Sequence, residues 1–260
     1  MAASFPNSRK RAVILFANHP TTDAARKKLS KNVRQSEKIL RAMQHHVFTV
    51  LGKAKEEFDF QLIIATDQMS THLQPAGADE SAVKLVRQCG KDFGERIGGV
   101  LHNVFEDGYS KVVIVGNDCI DLSAEVIRES FRLLEDRDVV LGPAEDGGVY
   151  LMGFSGFDEP LFRDVPWCSG KVFSRLLENS RSSGKRTAML ELLPDIDSEK
   201  QLLRWCNESI QKRIPVLRII LEVIHLRKFT AGHQIPFIVK NHRRKELWQK
   251  SPPPCLSVAT

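Results

Sequence analysis

The sequence VVLGPAEDGGVYLMG, residues 139–153, decides the fold that we predict for this chain. Two apolar runs surround a polar turn, which presents Glu145 and Asp146 and then bends at Gly147 and Gly148. The pattern predicts a strand, a turn and a second strand. Because glycine permits positive φ and close approach of a ligand, we expect the two carboxylates to lie at an open rim. Considered alone, the segment fits an ordinary hairpin with solvated acids equally well.

Outward from this segment, short apolar runs alternate with helical patterns. The runs that predict strands buried on both faces are residues 12–17, 61–66 and 111–116. The helical patterns before the hairpin cover about residues 23–50, 97–105 and 124–135. After the hairpin we expect a helix over about 170–183, a strand over 187–193, a turn over 194–197 and a helix over about 202–211. This alternation predicts an α/β three-layer sandwich, with a mostly parallel sheet, helices on both faces and the hairpin as an antiparallel element near one edge.

The order of these elements divides the chain into four segments. We expect a flexible N-terminus over residues 1–10, an α/β domain over 11–213, a helical appendage over 214–250 and a loose tail over 251–260. The appendage is strongly apolar and either packs on the domain or mediates self-association to a homo-oligomer. A polar loop rich in Gly, Pro, Asp and Ser covers about residues 67–81.

Composition and charge exclude several classes of protein. The 260 residues include no apolar run of membrane-spanning length, and the first eleven lack the apolar segment of a secretory signal. Five scattered cysteines without CxxC spacing predict a reduced, cytoplasmic protein without a structural zinc site. Residues 1–46 and 210–260 each carry a net charge of +8, around a middle of −10. An acidic middle without a basic, aromatic stripe argues against nucleic acid and suits a metal-bridged phosphate ligand.

Three acidic turns each follow a predicted strand. They contain Asp118 with Asp121, Glu145 with Asp146, and Asp195 with Asp197. Ligands of open parallel sheets collect beyond the carboxyl ends of the strands. Carboxylates gathered there repel one another unless a cation joins them, and Mg²⁺ or Mn²⁺ prefers such oxygen ligands. The sequence therefore predicts a divalent metal site at this edge, although each turn alone is an ordinary cap.

The exit of the first strand adds polar donors and cations at the same edge. Asn18 is followed by Arg26, Lys27 and Lys28 at the start of the predicted helix. Cations near a helix N-terminus oppose the helix dipole at a cost of a few tenths of a kcal/mol each. A role for Arg26 and Lys28 in binding phosphate explains that cost, and a solvated basic helix face is the alternative.

Further motifs give these turns a family context. They are Gln88-x-Gly90-x-Asp92-Phe-Gly94-Glu-Arg96-Ile, Val115-Gly116-Asn-Asp118, Asp138-Val-Val-Leu-Gly-Pro-Ala-Glu-Asp-Gly-Gly148, Pro166-Trp167 with Val172, and Asp195-Ile-Asp197-Ser. In this order, over about residues 11–205, the series resembles a bacterial family of nucleotide-diphospho-sugar transferases. The family is also described as arsenosugar-biosynthesis or selenium-domain-associated glycosyltransferases, and is related to the molybdenum-cofactor and phospholactate guanylyltransferases.

The resemblance implies a GT-A fold and a set of site residues. Asp118 would hold the divalent metal, with help from Asp197, and Asp146 with Glu145 would form the catalytic region. The candidate nucleotide-binding residues are Ala17, Asn18, Arg26, Lys28, Arg96 and Asn117. Arg96 either holds the loop over residues 88–97 against the nucleotide or makes a structural pair with Asp92.

The chain departs from the family pattern at the first strand exit. The family usually has a Lys, a Pro-Gly turn and Lys-Thr-Arg there, whereas this chain has Asn18, Thr22-Asp23 and Arg26-Lys27-Lys28. One cation and the glycine are therefore missing. Ile120 replaces a proline, and Cys168-Ser169 replaces Ser-Thr.

Three functions follow from these observations. The first is metal-dependent transfer of a sugar from a nucleoside diphosphate sugar to a small-molecule acceptor. The second is nucleotidyl transfer, in which an NTP and an acceptor release pyrophosphate. The third is a nucleotide-binding protein without catalysis, which the altered exit of the first strand favours.

Overall fold

The computed structural model describes residues 10–68, 83–210 and 214–224. The strands are β1 (Lys10–Phe16), β2 (Gln61–Thr66), β3 (Val83–Arg87), β4 (Tyr109–Val115), β5 (Val139–Pro143), β6 (Val149–Phe154) and β7 (Thr187–Met189). The α-helices are α1 (Pro20–Arg26), α2 (Val33–Glu57), α3 (Phe93–Glu106), α4 (Ala124–Leu133), α5 (Val172–Ser182), α6 (Glu199–Ser209) and α7 (Pro215–Val223). A short 3₁₀-helix covers Glu159–Phe162.

These strands form one sheet in the order β3-β2-β1-β4-β6-β5-β7. Every neighbouring pair is parallel except those of β6, which runs antiparallel between β4 and β5. The hairpin predicted over residues 139–153 is therefore present as β5 and β6. Because β6 alone is reversed, the carboxyl ends of β1, β4 and β5 all point to the same edge of the sheet.

Alternate residues of β1 belong to different apolar cores. Val13 and Leu15 pack in a cluster with α2 and α4 on one face. Ala12, Ile14 and Phe16 pack with α3 and α5 on the other. A strand with both faces covered is apolar at every position, which is why β1 reads as a continuous run. The predicted mostly parallel, three-layer α/β sandwich is confirmed.

The single helix predicted over residues 23–50 is wrong, because α1 ends at Arg26 and α2 begins at Val33. Lys27 already has extended backbone angles. The Asn32 side chain accepts the Arg34 N–H at 2.9 Å and so caps a new helix. The connecting segment also contributes Leu29, which is fully buried.

Two other predictions need correction. The edge strand β3 was not predicted, and most of the polar loop expected before it, residues 69–82, lies outside the described residues. The strand expected over 187–193 is ordered as the three residues of β7 and an isolated bridge between Ala144 and Leu193.

The segment after α6 packs on the domain as far as it is described. Buried residues of α7, such as Leu217 and Ile220, share a third apolar cluster with Ile39 and Met43 of α2. The rest of the predicted appendage and the tail lie outside the described residues, so self-association and the domain boundaries stay predictions. No helix in the described ranges combines the length and apolarity that crossing a bilayer requires.

The cysteines depart in part from the expectation. Cys119, Cys168 and Cys206 are free thiols. Cys89 is disulfide-bonded, so the expectation of a fully reduced set is wrong for that residue.

Candidate functional site

A cleft of about 500 Å³ opens at the sheet edge where β1, β4 and β5 end. Asn18 follows β1, Asp118 follows β4, and Asp146 follows β5, and all three line the cleft. The topology thus places residues from distant parts of the chain in one concave surface, as expected at the carboxyl edge of a parallel sheet.

Three carboxylates form a cluster in this cleft. One oxygen each of Asp118, Asp195 and Asp197 lies within 4.8 Å of the others. The sequence predicted Asp118 and Asp197 as metal ligands, and the structure brings them together. Asp195 was noted in the same turn but not chosen as a ligand. We call these three residues the carboxylate triad.

The third acidic turn reaches the triad along β5. The Leu190 N–H donates to the Leu141 carbonyl at 2.9 Å, and the Glu145 N–H donates to the Leu193 carbonyl at 3.1 Å. The Ile196 N–H then donates to the Asp118 carbonyl at 3.3 Å. Because Ile196 stands between the two triad residues of its turn, this hydrogen bond fixes their position beside Asp118.

Lys27 reaches into the triad from the end of α1. Its Nζ makes an ion pair with Asp118 Oδ2 and lies 2.5 Å from Asp197 Oδ1. Its side chain is only 18% exposed. Burial alone lowers the pKa of this lysine, but the adjacent carboxylates of Asp118 and Asp197 outweigh it and raise the pKa above its ordinary value. Lys27 is therefore a cation within the triad.

Asp195 is the least satisfied member of the triad. Burial raises its pKa well above the ordinary value, repulsion from Asp118 raises it further, and Lys27 opposes both. Its Oδ1 is buried without a hydrogen-bond partner in the described part of the chain. Three clustered carboxylates, one with an unpartnered oxygen, fit a hard divalent cation such as Mg²⁺ or Mn²⁺.

The exit of β1 forms the wall next to the triad. Asn18, Arg26 and Lys27 line the cleft, together with Ala17, as the sequence predicted for all but the lysine. The Asn18 amide donates to Asp23 Oδ1 at 2.8 Å. Asp23 is 5% exposed, and its burial raises its pKa.

Two of the predicted nucleotide ligands lie elsewhere. Lys28 is exposed and absent from the cleft lining, although its carbonyl accepts the Glu199 N–H at 3.2 Å and so ties the loop before α2 to α6. Arg96 is also absent from the lining. Its Nη1 donates to Gln88 Oε1 at 3.1 Å, and its Nε donates to the Asp92 carbonyl at 3.2 Å. Arg96 thus braces the loop over residues 88–97.

Asn117 combines burial with an unpaired donor. It lines the cleft directly before Asp118 and is 4% exposed. Its Nδ2 makes no hydrogen bond within the described residues. An unpaired buried amide costs free energy that a ligand acceptor would restore, so this side chain is a candidate ligand contact.

The turn between β5 and β6 separates its two acids. Asp146 lines the cleft, and its Oδ1 accepts the Gly148 N–H at 2.8 Å. Gly147 has φ of +87°, which fits the turn conformation expected from the glycine pair. Glu145 instead pairs with Arg204 of α6 at 3.1 Å and does not line the cleft. Of the predicted catalytic pair, Asp146 therefore lines the cleft and Glu145 does not.

Part of the cleft wall is aromatic, and part carries a thiol. Trp167 lines it, with its ring centroid 5.1 Å from that of Phe93. Cys168 follows it, exposed and in the left-handed region with φ of +59°. Cys119 and Cys206 are buried, and burial raises the pKa of both, to about 11 for Cys206.

Sequence reasoning missed Lys27 and Asp195, and it grouped Asp121 with Asp118 although Asp121 accepts the Trp205 indole N–H at 3.0 Å. Asp195 could have been found, because it precedes Asp197 by two residues in a turn. Lys27 could not be chosen over its basic neighbours without knowledge of where α1 ends.

A larger cavity of about 960 Å³ lies between β3 and α3. Gly98, His102 and Phe157 contribute to its lining, but none of the triad does. The cleft at the triad remains the candidate site, because convergent polar groups are the better mark of one.

Comparison with known proteins supports this architecture. Residues 49–169 match the model of a family described as “uncharacterized protein conserved in bacteria (DUF2064)”. A crystal structure of a “putative nucleotide-diphospho-sugar transferase” from Desulfovibrio desulfuricans G20 superposes with a TM-score of 0.70 at 22% identity, covering 84% of this chain and 97% of that one. The predicted family resemblance is confirmed. Comparison with curated proteins gives no significant match.

Two other solved structures superpose with lower TM-scores. CMP:2-keto-3-deoxy-manno-octonic acid synthetase complexed with CTP superposes with a TM-score of 0.50 at 13% identity, over 78% of this chain and 99% of that one. The manganese complex of Rv0371c from Mycobacterium tuberculosis H37Rv reaches 0.43 at 15% identity, over 75% and 97%. Likenesses at these identities concern the fold, and the manganese of the last structure carries no inference for this chain.

Proposed function

We propose that the protein is a metal-dependent transferase, which moves a sugar from a nucleoside diphosphate sugar to a small-molecule acceptor in the cleft. The transferase class is supported by the nucleotide-diphospho-sugar transferase and synthetase descriptions of the structures that share the fold. The choice of sugar transfer and the need for a metal are supported by the cleft itself.

The charge of the cleft is the observation that carries the proposal. Five acidic residues line it, against two basic residues in the described part of the chain, so acidic groups outnumber basic ones by three. The five are Asp23, Asp118, Asp146, Asp195 and Asp197, and the two are Arg26 and Lys27. A diphosphate would be repelled from this surface, and a divalent ion held by the triad would reduce that repulsion and attract the phosphate oxygens to the triad.

Each lining residue then has a definite task. The triad would hold a Mg²⁺ or Mn²⁺ ion, whose chemistry is to neutralise the departing diphosphate. Arg26 lies on the same wall to bind phosphate oxygens, and Asn117 donates to the ligand. Asp146, held by the Gly148 N–H, is the candidate base on the acceptor hydroxyl.

The start of α1 argues against the binding of a nucleoside triphosphate in the manner of a glycine-rich loop. The His19 side chain accepts the Thr21 N–H and so occupies the N-terminus of this seven-residue helix. Asp23 adds a carboxylate in the first turn. Both features disfavour an anion at this position, so sugar transfer is the better reading than nucleotidyl transfer.

A thermal-shift panel tests the proposal. The chain is screened with uridine and guanosine diphosphate sugars, each with Mn²⁺, with Mg²⁺ and with EDTA. We expect a metal-dependent rise in Tm for at least one ligand, which Asp118→Asn abolishes. Asp136→Asn is the matched control, since it removes an exposed carboxylate outside the cleft and should leave the rise intact.

The released product then separates the two kinds of transfer. A ligand from the panel is incubated with the chain, Mn²⁺ and candidate acceptors, and the products are resolved by anion-exchange chromatography. Sugar transfer releases a nucleoside diphosphate, whereas nucleotidyl transfer from the corresponding NTP releases pyrophosphate. Pyrophosphate as the product, or silence across the whole panel, would refute the proposal.

A further inference from the structure

We infer that Lys27 is a built-in counter-ion of the carboxylate triad, which takes the place of a divalent cation and has to leave it before a metal ion binds. The inference rests on the proposed function only in treating the triad as a cation site. It concerns what this chain does to the metal affinity of that site.

The geometry shows that Lys27 and a metal ion compete for the same oxygens. Lys27 Nζ makes its ion pairs with Asp118 Oδ2 and Asp197 Oδ1, two of the three members of the triad. The triad oxygens lie within 4.8 Å of one another, so a cation that joins them all stands among them, close to the position of the ammonium. Two cations cannot share so small a space without strong repulsion.

Within the described ranges, the ion pairs of Lys27 are those with the triad. Lys27 is the C-cap residue of α1, and its N–H donates to the Asp23 carbonyl at 2.7 Å, which fixes its backbone. The Lys28 carbonyl accepts the Glu199 N–H at 3.2 Å and ties the same loop to α6. The backbone is thus held from both sides, and the exchange requires only a rotation of the lysine side chain.

One ammonium does not satisfy the site completely. Asp195 Oδ1 remains without a partner in the described residues. Asn117 lines the same cleft and is only 4% exposed, and its Nδ2 also has no hydrogen-bond partner among the described residues. These two groups indicate that the site holds a further ligand beyond Lys27. The lysine stabilises the ligand-free state and weakens metal binding at the same time.

Calorimetric titration of Mn²⁺ into the full chain tests this competition. The wild type is compared with Lys27→Met and Lys27→Gln, and Lys31→Met is the control because it removes an exposed lysine four positions along the chain. Loss of the competing ammonium should tighten Mn²⁺ binding about tenfold or more, since a partly buried ion pair exceeds the value of a surface pair. Lys31→Met should bind Mn²⁺ as the wild type does.

Thermal unfolding in EDTA gives a second readout that needs no activity. Without the ammonium, the three carboxylates repel one another, so Lys27→Met should have a lower Tm than the wild type and a larger rise with Mn²⁺. Lys27→Gln keeps a hydrogen-bond donor in the triad and provides a folded comparison if the methionine variant does not fold without metal.

The outcomes separate the two hypotheses. Unchanged or weaker Mn²⁺ binding by both Lys27 variants, with a metal-dependent nucleotide response retained, would overturn the competition and leave the proposed function intact. Absence of Mn²⁺ binding in every chain would remove the cation site and both hypotheses with it. Tighter Mn²⁺ binding by both variants without any nucleotide response would support the competition and overturn the transferase.

Discussion

Gly116→Ala tests the position of the Asp118 carboxylate without changing any charge. Gly116 follows β4, and its N–H donates to the Tyr150 carbonyl at 3.3 Å. A Cβ at this position would lie 2.5 Å from Asp118 Oδ1, whereas ordinary contact begins at 3.4 Å. The carboxylate therefore has to move away by the difference, which is about 0.9 Å.

The size of this displacement sets the expected effect. Metal–ligand distances tolerate about 0.2 Å, so a shift several times larger removes Asp118 from a shared cation site. A misplacement of about 1 Å in an active site costs about 100-fold in rate. We expect Gly116→Ala to weaken Mn²⁺ binding at least tenfold and to lower any turnover about 100-fold. The free energy of unfolding should change by less than about 1 kcal/mol, because alanine also reduces the entropy of the unfolded chain.

Calorimetric titration with Mn²⁺ and chemical unfolding measure the two quantities separately. Gly98→Ala in α3 is the matched control, since a Cβ there meets nothing within 4 Å. Replacement of glycine inside a helix should stabilise that control by about 0.5–1 kcal/mol and leave Mn²⁺ binding unchanged. If Gly116→Ala folds and binds Mn²⁺ as tightly as the wild type, Asp118 is not a metal ligand and the triad loses its assigned role.

Three other perturbations have expected outcomes. Asp195→Asn removes a carboxylate whose charged form is disfavoured by burial and by repulsion from Asp118. The variant should be about 1 kcal/mol more stable to unfolding in EDTA and should lose its response to Mn²⁺. A destabilised variant would contradict this. Tyr150→Phe removes the hydrogen bond to the Glu191 carbonyl at 3.1 Å and should cost about 1 kcal/mol at pH 7. Burial raises the pKa of Tyr150 in the folded state above its ordinary 10.0, so the wild type should lose stability as pH rises above 10.0. The phenylalanine variant should lose less stability over the same range, and denaturant titrations at several pH values measure the difference. Among the free cysteines of the described residues, the exposed Cys168 should react with iodoacetamide at neutral pH ahead of the buried Cys119 and Cys206, and a bound nucleotide sugar should protect it. Peptide mass spectrometry measures the order of labelling, and earlier labelling of Cys119 or Cys206, or no protection of Cys168, would contradict this placement of the cleft.

Much of the sheet could be predicted because its central strands are covered on both faces. The apolar runs of β1, β2 and β4 have this pattern, and the paired runs around Glu145 and Asp146 indicated the reversed strand β6. Periodicity failed where burial is incomplete. The edge strand β3 is half exposed, with an alternation too weak to distinguish from loop.

The positions of helix ends limited how much of the candidate site could be predicted from the sequence. The apolar positions of α2 and the residues before it keep a helical period, so the break after Arg26 is not visible in the apolar pattern alone. Asn32 and the hydrogen bond from the Ser30 N–H to Ser36 Oγ, at 3.0 Å, make the break, and each is a local polar contact. Such contacts compete with helix only when the fold favours them.

The same break explains why Arg26 and Lys28 were chosen as phosphate ligands and Lys27 was not singled out. In a continuous helix, Arg26 and Lys28 are separated from Lys27 by about 100° in either direction, and no residue type distinguishes the three. In the structure Lys27 leaves the helix with extended angles, so its side chain enters the triad while Lys28 stays exposed. Asp118 and Asp146 were predictable because they follow the strands β4 and β5, whose ends the apolar runs define. Lys27, the ion-pair partner of Asp118, follows a short helix whose end is set by tertiary contacts, so its role is visible only in the folded chain. The Mn²⁺ titration of Lys27→Met tests that role.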